Sequence, residues 1–136
     1  MLDLPWTTVK GLHVLKTLAG REEPTSSGDL ASKAGVTPGR LPRLIRILNE
    51  AGLITSVPRR GWKLARPSNE IRVLQVLEVL GAARRKPAYC RADWTTCEHR
   101  GGCALAPLCR TAHENLTEVF RNHTIADLQV ELPSLF

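Results

Sequence analysis

Val9, Leu12, Leu15, Leu18 and Ala19 recur at the three-and-four spacing that lines one face of an α-helix, and Gly20 is placed to end it. The polar stretch 21–26 carries Pro24 and reads as a loop. Ser27 then caps a short helix running through Ala34, with Gly35 as its terminator. Thr37-Pro38 reads as a cap followed by a first-turn proline. Leu41, Leu44, Ile45 and Leu48 make the apolar stripe of a helix from Thr37 to Ala51, stopped by Gly52. Two helices joined by a tight Gly-Val turn form a helix-turn-helix. The β-prone runs 53–57 and 62–65 flank Pro58-Arg59-Arg60-Gly61 and read as a hairpin, which in this position is a wing.

Further along, Ile71, Leu74 and Leu77 place a helix at about 72–80, ended by Gly81. Ala82 to Gly102 is rich in charge and glycine and reads as a loop. Pro107 opens a long helix to about Asn122, with Leu108, Leu116 and Phe120 as its apolar contacts. Thr124 caps a final short helix, with Asp127 at the capping-box position. The expected fold is mainly α with a small β-hairpin wing. It divides into a winged helix-turn-helix over 1–81, a cysteine-bearing loop over 82–106 and a C-terminal helical segment over 107–136.

Charge sharpens this picture. The chain has 136 residues and a net charge of +6, and the segment 38–72 holds eight basic residues against two acidic ones. All of the net positive charge therefore falls on the helix-turn-helix and wing, as a footprint for the phosphates of double-stranded DNA would. Arg40, Arg43 and Arg46 follow one another at three-residue spacing on the candidate recognition helix, which opens at Thr37-Pro38-Gly39. Ser27 and Thr37, at helix N-termini, suit a phosphate. Arg59, Arg60 and Lys63 extend the basic face onto the wing. Pro42 lacks an amide proton inside this helix, so the helix kinks there or its regular part begins there.

The second chemical signal is a set of four cysteines, Cys90, Cys97, Cys103 and Cys109, in a chain with no others. Neither a signal peptide nor a membrane-length apolar run is evident, so a cytoplasmic protein with reduced thiols is expected. The spacing C-x6-C-x5-C-x5-C does not match paired zinc knuckles. It suits a loop wrapped around an iron–sulfur cluster, with Gly101-Gly102 allowing close backbone approach. Cys109 falls in the first turn of the long helix, as a thiolate favoured by the helix dipole or as a packed apolar residue. His99 and His13 are further candidate ligands beside blander readings as loop and surface histidines. No nucleophile–base pair or phosphate loop suggests an enzyme.

The motifs LASKAGVTPGRLPRLIRILNEAGLITSV, RGWKLARPSNEI, the three-cysteine loop and TIADL together resemble the Rrf-two family of bacterial winged-helix regulators, which includes the IscR- and NsrR-type iron–sulfur sensors. The resemblance implies a homodimer formed through the helix that begins near Pro107. It also implies a [2Fe–2S] or [4Fe–4S] cluster held by Cys90, Cys97 and Cys103, and a repressor whose operator affinity follows the state of that cluster. The chain departs from the pattern in several places. Ala106 stands where the IscR type has a histidine ligand, and Val9 where NsrR relatives have an acidic one. Cys109 stands where relatives carry tryptophan, Pro42 replaces a base-contacting residue, and the wing is shorter. The fourth ligand is thus left among Cys109, His13, His99 and a small molecule. Two alternatives stand beside this reading: a cluster-free thiol-redox or zinc-bound repressor, and an iron–sulfur electron-transfer or carrier module that docks proteins.

Overall fold

The computed structural model describes residues 4–81 and 104–129. Helix α1 (Trp6–Ala19) follows Pro5 and ends at Gly20. Of the expected stripe, Leu15 and Leu18 are buried while Val9, Leu12 and Ala19 are half-buried, and Val14, outside that stripe, is fully buried. Helix α2 (Ser27–Ala34) starts one residue differently from the sequence expectation. Ser26, not Ser27, is the N-cap: its hydroxyl accepts from the Asp29 amide at 3.3 Å. Ser26 has the extended backbone a cap requires, while Ser27 is already helical. Gly35 closes α2 in the left-handed conformation at φ 67°, and the amide of buried Val36 donates to Ala31 O.

The next helix differs more. Helix α3 spans Leu41–Glu50, not Thr37–Ala51. Residues 38–40 form a turn in which the Arg40 and Leu41 amides both donate to Thr37 O. Pro42 therefore sits in the first turn, where its missing N–H costs nothing, and no kink is needed. Leu41, Leu44, Ile45 and Leu48 are all buried. At the far end Gly52 (φ 76°) donates to Asn49 O and Leu53 to Leu48 O, the paired bonds of a Schellman ending.

Strands β1 (Ile54–Val57) and β2 (Gly61–Leu64) pair antiparallel, with Ile54 opposite Leu64 and Val57 opposite Gly61. The segment read as a loop before α2 contributes a third edge. Thr25 and Trp62 exchange two backbone bonds, at 2.8 and 2.9 Å. Gly61 permits that approach: a Cβ there would lie 2.1 Å from Thr25 O, and its φ of 115° already disfavours any other residue.

A 3-10 turn (Ser68–Glu70) leads into α4 (Val73–Val79), which packs on α1 where Gly11 leaves room for Leu80. Helix α5 (Ala106–Arg121) lies against α4. The chain then returns to the core. Thr124 bridges Arg72, Ile125 is fully buried, and a final 3-10 helix (Ile125–Gln129) packs on α1. Asp127 reaches back to the Thr124 amide at 2.8 Å, as the capping position predicts. Leu116 and Phe120 of α5 are half-buried, but Leu108, expected to make an apolar contact, is 69% exposed. Cys90, Cys97, Cys103 and His99, with the expected loop that carries them, lie outside the described residues. Among the described residues no helix is long and apolar enough to cross a membrane.

Candidate nucleic-acid interface

The buried stripe of α3 dictates what the helix offers outward. At about 100° per residue, Arg43 and Arg46 straddle the line opposite Leu41, Leu44, Ile45 and Leu48. Both arginines are exposed. Among the described residues no carboxylate forms an ion pair with Arg40, Arg43, Arg46, Arg59 or Lys63. Exposed guanidinium groups without a carboxylate partner on the solvent face of a helix are suited to phosphate oxygens or guanine edges.

The other basic residues are not equivalent to these two. Arg40 is the N-cap residue of α3, and its guanidinium lies over the Trp6 ring of α1, 4.8 Å from the centroid. Arg59 holds the turn of the wing with φ 64°. Its neighbour Arg60 is ion-paired with Glu23 from the segment before α2, a contact between two exposed side chains. Lys63 points out of β2 while Trp62 and Leu64 lie against the core. Neither the Trp6–Arg40 contact nor the Glu23–Arg60 pair follows from local spacing. Each joins residues more than thirty positions apart, so no periodic signal in the chain announces it.

Two expected phosphate positions change character. Thr37 precedes a turn, and its carbonyl is occupied by the Arg40 and Leu41 amides; Pro38 and Gly39 are exposed parts of that turn. At the start of α2, Asp29 in the first turn already supplies the negative charge that a helix N-terminus favours. Ser27 is exposed there but does not cap.

Of the candidate ligands, Cys109 and His13 lie within the described residues. Cys109 is half-buried in the first turn of α5, its amide donating to Leu105 O at 2.9 Å. His13 is on the exposed side of α1, in a depression it shares with Lys16, Arg21 and Lys33. Partial desolvation, then the charges of Lys10 and Lys16, hold its pKa below the ordinary histidine value, so the imidazole stays neutral at neutral pH. Among the described residues no group of three or more His, Cys, Asp or Glu side chains is placed to hold a metal ion.

A family model described as Rrf2, an iron-dependent transcriptional regulator, matches residues 7–131. The chain belongs to the Rrf2 family. The curated protein rrf2 of Nitratidesulfovibrio vulgaris (strain Hildenborough) is 30% identical over 122 residues, covering 87% of this chain and 81% of that one. Among solved structures, CymR (YrzC), the global cysteine regulator of B. subtilis, superposes with a TM-score of 0.77 at 24% identity, over 98% of this chain and all of that one. T. potens IscR gives a TM-score of 0.73 at 23% identity, over 97% and 94% of the two chains. The Rrf2 chain is thus a transcriptional regulator with a DNA-binding winged-helix fold, not an enzyme. That assignment also sets aside the electron-transfer module.

Proposed function

We propose that this Rrf2 protein is a cytoplasmic repressor that binds operator DNA as a homodimer, with an iron–sulfur cluster on Cys90, Cys97 and Cys103 setting its affinity. The observation that carries the DNA half is the outward row of unpaired Arg43 and Arg46 opposite a fully buried stripe. The thiol half rests on the cysteine spacing and on the iron-dependent description of the family. The chain's three soft donors suit iron; when bound, the cluster supplies a centre responsive to oxygen, nitric oxide or iron supply. Cys109, His13 and His99 remain the protein candidates for a further ligand.

The connectivity supports coupling. The cysteine segment joins the end of α4 to the start of α5, and α4 packs on α1 through Gly11 and Leu80. Any rearrangement between the two helices is therefore felt by the winged helix. The homodimer reading is supported by α5 and the Leu105 that caps it, where Leu105, Leu108 and Val119 are exposed at 60%, 69% and 52%.

Anaerobic purification and reconstitution, followed by DNA binding with and without the cluster, tests the whole reading. A visible chromophore and at least a tenfold change in operator affinity are expected, a coupling of about 1.4 kcal/mol. Equal affinity of the two forms overturns the switch. A second reading, a thiol-redox or zinc-bound repressor without a cluster, draws support from the fold it shares with CymR, whose S. aureus homologue has been solved in an oxidized form. A colourless anaerobic protein with stoichiometric zinc, or one whose DNA affinity follows thiol oxidation, would favour it.

A further inference from the structure

We propose that Trp6 is a positioning residue for DNA binding, presenting the Arg40 guanidinium to the duplex. The inference rests on the DNA-binding reading above and assigns α1, otherwise a core helix, a place in the interface. The Arg40 guanidinium lies 4.8 Å from the Trp6 ring centroid. Trp6 is 38% exposed, so the stack forms at the surface and not in the core.

The platform is fixed from below. Trp6 is the first residue of α1, and Pro5 immediately before it accepts the Thr8 and Val9 amides at 3.0 and 3.1 Å. The arginine is fixed from its own side. Arg40 is the N-cap of α3, its amide bonded to Thr37 O at 3.0 Å. What remains free is a long side chain whose ordering opposes any contact it makes. A cation–π contact with the indole orders it without engaging a carboxylate, so the guanidinium keeps its charge for another partner. A carboxylate partner would instead consume its N–H donors, as Glu23 does for Arg60 on the wing. Arg40 has no such partner among the described residues and lies one helical turn before Arg43, beside the outward arginine row. The aromatic platform thus adds order without neutralising charge.

The test uses the full chain and a duplex selected on the wild-type protein from a random-sequence pool, with affinity measured across a salt series. Arg40→Ala should weaken binding about tenfold and make the log–log salt slope shallower by about one, the loss of one phosphate contact. Trp6→Ala should weaken it about threefold with the slope unchanged, because the contact survives and only its ordering is lost. Trp6→Phe should recover part of that loss, and Trp6→Ala should have no further effect in the Arg40→Ala background. Tighter binding by Trp6→Ala would show that the ring sequesters Arg40. An equal loss with and without Arg40 would show that Trp6 acts on the fold or on DNA by itself. Either result overturns the proposal alone. A wild-type protein that enriches no duplex overturns the DNA-binding reading as well, and so is told apart from failure of the positioning role.

Discussion

The winged helix and α5 use the same kinds of residue to opposite effect. In α3 every leucine is buried: Leu41, Leu44 and Leu48 point inward, and only charged or polar residues and Pro42 are left fully exposed. In α5, the described side chains from Pro107 to Asn115 are all exposed except Cys109, although Leu108 is among them. The C-terminal end of α5 is tied down, because the following segment bridges Arg72 and buries Ile125. Its N-terminal end has no comparable anchor among the described residues. One region buries its apolar residues within the described chain; the other leaves Leu108 and Val119 exposed among the described residues. On the homodimer proposed above, a second α5 would cover them.

The sharpest way to break the closed region is at the wing. Gly61→Ala places a methyl 2.1 Å from Thr25 O at a φ of 115°. Backbone strain and the clash together should cost about 3 kcal/mol or more, read as a lowered urea midpoint. The core of α3 comes next. Leu48→Ala, at a fully buried site, should lose about 3 kcal/mol. Leu108→Ala should cost little in intrachain packing, yet weaken self-association measured by sedimentation. If Leu108→Ala lowers stability as much as Leu48→Ala without changing the oligomeric state, the contrast between the two regions fails.

Function should divide along the same line. Arg43→Ala and Arg46→Ala should each weaken DNA binding by about tenfold, while melting temperatures stay within a degree or two, because neither side chain contacts the core. An equivalent loss from Arg60→Ala would mean that the Glu23 pair opens on DNA. A smaller loss would mean that the pair holds Arg60 back.

How much of this was legible beforehand depended on the range of the interaction. The α3 stripe, the stops at Gly35 and Gly52, the hairpin around 58–61 and the Thr124–Asp127 cap are local, and periodicity or turn chemistry announces each one. Boundaries were less legible where two residues compete for one role. Ser26 and Ser27 are both good caps by type, and the backbone gives the role to Ser26. Ser26→Ala should therefore cost about 1 kcal/mol, and Ser27→Ala close to nothing, in the same urea experiment. Thr37-Pro38 and Arg40-Leu41-Pro42 compete in the same way for the start of α3. Pro42 decides the matter, since a proline is best accommodated in a first turn. The contacts that tie the basic face to distant segments, Trp6 on Arg40, Glu23 on Arg60 and Thr25 on Trp62, were invisible because nothing at short range encodes them.

The smallest effect belongs to His13, and it probes the exposed side of α1. Its neighbours Lys10, Lys16, Arg21 and Lys33 are all cationic, and desolvation adds to the charge of the nearer lysines in lowering its pKa. In the unfolded chain the imidazole titrates near the ordinary value of 6.5. Below that value the unfolded state takes up the proton before the folded state does. The contribution of His13 is thus fully present above pH 6.5 and is lost as pH falls through the lower folded value. His13→Gln should flatten the acid side of the stability–pH profile slightly while leaving the neutral plateau unchanged. A histidine ring titration by NMR gives the direct measure. A His13 midpoint above 6.5 would mean that an anionic group faces it in solution, overriding the cationic surroundings of Lys10, Lys16, Arg21 and Lys33.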